Sequence, residues 1–195
     1  MWVRGAAIRP VPAFAVVGRA VVDGVERALS QEGDTADREL ARCFERFEKT
    51  QPEIARRANE LLSRPLDETA LALGYFLTVA VWLAFDRSFR GRLEEVSAEA
   101  LCAAEAALAL EEELRATHAD EPLELDDVMA IEQPSVVGFV HEHVDAALEG
   151  PAEDGEVDVD DVDLVYKLVL LETLALSHAV TAPDGPPRGR EELEA

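Results

Sequence analysis

The chain has 195 residues, 48% of them hydrophobic, with 41 acidic against 18 basic side chains and a formal net charge of −23. That length suits one domain with a substantial core, and the apolar content excludes wholesale disorder. The acidic excess repels phosphate backbones and so excludes sequence-tolerant nucleic-acid binding, while a basic protein partner stays compatible with it.

Residues 13–30 place Phe14, Val17, Val21, Val25, Ala28 and Leu29 on one helical face. Arg19 cuts the apolar PAFAVV stretch too short for a secretion signal. Gly33 and Asp34 break the chain, and Asp34 or Thr35 can cap the next helix. Ala36, Leu40, Cys43, Phe44 and Phe47 then form a clean stripe over 36–49. Pro52 opens the helix that ends before Pro65, and Thr50 with Glu53 has capping-box spacing. Asp67 caps an apolar helix over 66–85 whose stretch from Thr69 to Phe85 carries no charge. A span of that length reaches the lower edge of a membrane crossing, but the expectation is a buried core helix.

The charged segment 86–96 continues that helix and loosens near Gly91, and Ser97 starts an alanine-rich helix reaching Leu114. After a polar break at 118–124, apolar residues lead into a second Gln-Pro pair. A helix over 134–149 follows, with Val136, Val137, Val140, Val144, Ala147 and Leu148 on its apolar face. An acidic loop precedes the last helix, 161–180, and the tail from 183 lacks apolar anchors.

Two of the three glutamines, Gln51 and Gln133, stand directly before a proline, and each pair opens a short helix followed by an apolar one. The pairs lie 82 residues apart and Tyr75 and Tyr166 lie 91 apart, so the second hairpin has the longer loop. The pattern predicts an all-α bundle of six or seven helices built from two similar hairpins, with the apolar helices central. The expected domain is 1–182, with repeats near 35–90 and 120–180 and a flexible acidic tail at 183–195.

The chemistry is sparse. Phosphate-cradling glycine loops, paired CxxC, GxSxG and HExxH are missing from the sequence, and no Glu stands three before any of the four histidines. His141 and His143 diverge by about 200° on a helix and cannot grip one ion together. His141 and Asp145, one turn apart, read as a hydrogen-bonding or solvated pair. The loop EDGEVDVDDVD lacks EF-hand order. Glu172 is the one chemical candidate: its wheel neighbours Val165, Leu168, Val169 and Leu176 are apolar, so it must find a partner or keep a proton. His143 is the expected partner, with an arginine second. Trp82 and Tyr75 read as core, with Trp82 able to cap a pocket between the repeats. Cys43 and Cys102 read as inert core thiols in a reducing cytoplasm.

The resulting expectation is a cytoplasmic, non-enzymatic interaction or regulatory protein that binds a protein partner or itself. It needs no cofactor or metal, no nucleic acid and no membrane. The alternative is a helical-bundle enzyme or small-ligand binder with a pocket near Glu172. An enclosed polar cavity at Glu172 favours the second, and a dry core favours the first.

Overall fold

Apolar spacings of three and four, punctuated by proline and glycine, dictate helices. A computed structural model describes residues 8–29, 34–117, 129, 132–149 and 157–183, and the regular structure among them is helical. After a short 3-10 turn at Ala13–Ala15 come α1 (Arg19–Leu29), α2 (Asp34–Thr50), α3 (Pro52–Leu62) and α4 (Glu68–Phe89). They are followed by α5 (Ala98–Thr117), α6 (Pro134–Glu149) and α7 (Val159–Ala179). The expected polar break at 118–124 and the tail from 184 lie outside the described residues, as does most of the acidic loop before α7.

Helices α4 and α7 form the centre and pack most extensively against each other. Their ends show that they run parallel. At the N-termini the Asp67 amide donates to Asp161 Oδ2 at 2.8 Å, and the Asp158 amide donates to Asp67 Oδ2 at 3.2 Å. Both carboxylates sit where helix dipoles favour negative charge. At the C-termini the Glu94 amide donates to Ala179 O and the Thr181 amide to Arg92 O, around an isolated bridge between Leu93 and Val180. Gly74 lets the seam close. A Cβ there would lie 2.5 Å from Leu62 Cδ2 and 3.3 Å from Val165 Cγ2. Helix α4 is long and apolar enough to cross a membrane by length and composition, yet 67% of its most apolar window is buried inside this fold, as a core helix requires.

The Gln-Pro pairs have a structural reason. Gln51 and Gln133 are 2% and 0% exposed, and each clips an extended segment that leads into a helix. Gln51 Nε2 donates to Glu94 O at 2.9 Å while its Oε1 accepts from the Val96 amide at 2.8 Å, just before α5. Gln133 Nε2 donates to Ala15 O at 2.8 Å while its Oε1 accepts from the Val17 amide at 3.0 Å, just before α1. Each side-chain amide therefore serves the backbone as a neighbouring strand would, satisfying a buried N–H and C=O that have left helical geometry.

That clip corrects the expected helix over 13–30. Residues 16–18 are non-helical, the helix starts at Arg19, and Val22 replaces Val21 in the buried stripe while Phe14 is 39% exposed. The expected capping box fails as well. Thr50 Oγ1 donates back to Arg46 O, and Gln51 holds the N-cap position without a side-chain cap bond. Asp67 caps α4 as expected, accepting from the Ala70 amide. Cys43 is buried but Cys102 is exposed, because Leu101, Ala104 and Leu108 form the inward face of α5 and Cys102 lies off it.

Candidate functional site

Val165 faces Gly74 across the central seam, and Glu172 stands two turns further along the same face of α7. The glutamate is 0% exposed, and neither carboxylate oxygen has a hydrogen-bond partner among the described residues. Burial alone pushes its pKa well above the ordinary 4.5, so the group is held as a neutral acid. Three further buried polar atoms on α4, Thr78 Oγ1, Trp82 Nε1 and Ser88 Oγ, lack partners among the described residues too.

His143, the expected partner, is engaged elsewhere. Its ring packs 4.3 Å from Phe139 and 5.0 Å from Phe76, with Nδ1 3.0 Å from Phe139 O and Nε2 4.0 Å from Glu26 Oε1. A carbonyl can only accept, so Nδ1 carries the proton and Nε2 faces the glutamate of α1. Its neighbours thus come from α1, α4 and its own helix, and Glu172 is not among them. The two residues are not brought together.

His141 points the other way, as the helical angle requires, with Nε2 2.8 Å from the Tyr166 hydroxyl; Asp145 lies exposed one turn on. Trp82 is core rather than a pocket lid. It is 0% exposed, tilted 5.8 Å from Phe47, with the Arg46 guanidinium 5.2 Å from its ring centre. Tyr75 is a rim residue, 37% exposed and edge-on to Phe44 at 5.6 Å. Among the described residues no three His, Cys, Asp or Glu side chains converge as metal ligands.

Concave space lies along α5, and the sequence did not reveal it. A groove of about 580 Å³ runs between α5 and α7, floored by Ala100, Ala104, Leu174 and Ala175 and ending at His178. His178 Nε2 lies 3.2 Å from Arg9 O, and burial, then the Arg9 charge, lowers its pKa. A tighter cavity of about 260 Å³ lies between α3, α5 and α7, with Leu61, Leu108, Leu168 and Leu171 as walls. Arg57, Arg64 and Lys167 stand around it together with Glu105 and Glu112. Glu172 lines neither space. In sequence, Arg57 and Lys167 are ordinary polar positions of their helices and Arg64 follows the end of α3; only the packing of three helices gathers them.

The chain matches no known family model, and no curated protein or solved structure proved similar to it.

Proposed function

We propose that this protein is a non-enzymatic interaction or regulatory protein of the cytoplasm, an acidic helical scaffold that works by presenting its surface to a protein partner. The observation that carries this reading is the enclosure of Glu172. At 0% exposure, a solute reaches that carboxyl only if the α4–α7 seam opens, so the group serves the core rather than a substrate. The net charge of −23 favours a basic surface on the partner, and the burial of α4 favours solubility without detergent.

We also read the chain as two related hairpin units. Three features support it: each Gln-Pro clips the segment before a helix, Asp67 and Asp158 cap the paired central helices 91 residues apart, and the buried runs 77–85 and 168–176 keep that spacing. The functional reading is tested by comparing wild type with Glu172→Gln, using sedimentation velocity for assembly and NMR of metabolite mixtures for turnover. Identical sedimentation with no substrate consumed supports it. A substrate consumed by wild type and spared by the folded variant overturns it.

A further inference from the structure

Besides loop length, the two hairpins differ where one half is plugged and the other is hollow. Beside α1, the rings of Phe76, Phe139 and His143 fill the space between α4 and α6, with centroids 4.3–6.1 Å apart. Aligning the Gln-Pro pairs puts Arg57 and Leu61 at the positions of Phe139 and His143, and aligning the tyrosines puts Lys167 at that of Phe76. The clipped residues Val17 and Val96 likewise align α1 with α5, so that buried Val22, Val25 and Leu29 match buried Leu101, Ala104 and Leu108. Where one half carries three rings, the other carries two cations and a leucine around the 260 Å³ cavity.

The cavity has the chemistry of a site. Its walls are leucines. Arg57 is paired with Glu105, and Lys167 with Asp163 and Glu112, at 3.1 and 3.4 Å for the lysine. Arg57 and Lys167 are thus matched by Glu105, Glu112 and Asp163, and Arg64 is the lining cation left unpaired among the described residues, on a chain of net charge −23. Its volume falls below the roughly 300–1,000 Å³ of pockets for drug-sized ligands, which limits the ligand to a short one.

We propose that the cavity between α3, α5 and α7 binds a small carboxylate with an apolar body, such as a medium-chain fatty acid or an aryl alkanoate. Arg64 is the principal anchor for the carboxylate and Lys167, shared with its own acids, the second; the body lies against Leu61, Leu108, Leu168 and Leu171. This goes beyond the interaction reading and stands or falls separately from it.

The test is calorimetric titration of the full chain with octanoate, 1-octanol and octylamine. Octanoate binds one to one and about tenfold tighter than 1-octanol, the size of one charge-assisted contact, and octylamine binds weakest. Arg64→Ala, a change at an exposed position, brings octanoate and 1-octanol to within about twofold of each other by removing that contact. Lys167→Phe installs the residue type of the plugged half; it abolishes octanoate binding and raises the melting temperature. Octanoate failing to bind wild type at millimolar concentration, octylamine matching it, or Lys167→Phe binding it unchanged would each overturn the proposal.

Discussion

Replacing Glu172 by leucine should stabilise the protein, by an amount that grows with pH. In the unfolded chain this carboxyl ionises near 4.5, whereas in the fold burial keeps its proton well above that value. The native state then holds a proton that the unfolded state releases, so its stability is complete below the unfolded pKa and declines as pH rises. Each pH unit over which the folded carboxyl stays protonated costs about 1.4 kcal/mol. The unpartnered neutral carboxyl costs roughly a further 1–3 kcal/mol at any pH. Glu172→Leu removes both contributions, less about 1 kcal/mol for imperfect filling of the space. The net gain is therefore smallest at acid pH and grows by about 1.4 kcal/mol with each pH unit over which the fold keeps the proton. Glu172→Gln removes only the titration, so it should track the leucine variant's pH dependence while lying roughly 0–2 kcal/mol below it. Urea unfolding of the three proteins between pH 4 and 8 isolates the effect, because the other acids are common to all of them. A wild-type-minus-variant difference that stays flat across that range would refute the reasoning, since it would mean that the carboxyl ionises equally well in both states.

Breaking either glutamine clip should be costly despite conserving size. Gln51→Leu leaves the Val96 amide and the Glu94 carbonyl without their partner, for a loss of about 2–4 kcal/mol in urea unfolding and faster amide exchange at Val96. Gln133→Leu also strips a bond to Ser177 Oγ and should cost more, with exchange rising at Val17; wild-type midpoints would remove the clips from the account. Gly74→Ala should destabilise by about 1–3 kcal/mol despite alanine's better helix propensity, because its Cβ overlaps Leu62. Pairing it with Leu62→Ala should cost less than the sum of the single changes, and strict additivity in the double-mutant cycle would show that the overlap relaxes elsewhere.

The helices themselves were legible in sequence because three local signals agree: apolar spacing, a proline or aspartate at the start, and a break at the end. The inward placement of Glu172 was legible for the same reason, since its neighbours on the wheel are all apolar. Its surroundings were not. Which face of α6 meets α7 depends on how four helices pack, and His143 is drawn to Phe76, Phe139 and Glu26 instead. Residues 13–18 read as helix because their periodicity is helical; the glutamine that overrides it lies 116 residues away. Gln51 and Gln133 stood out by position, yet their role as backbone partners has no local signature. The cavity beside Arg64 was invisible for a related reason, as it exists only where α3, α5 and α7 converge.

The Gln133 clip also sets an order for assembly during synthesis. Its amide joins Ala15, near the beginning of the chain, to Ser177 on the last helix. The first hairpin and the Gln51 clip need only residues up to Val96, so they can form while the second half is still being made. The segment before α1 has no such option: at about 5–20 residues per second it waits roughly 6–24 seconds from its own synthesis until Gln133 has been added. Until then Val17 and Ala15 lack their backbone partner, and the face of α4 that α1 will cover stands open. Helix α1, made before α4, is thus secured after it, and the apolar surface in need of protection from a nascent chain's neighbours lies on α4.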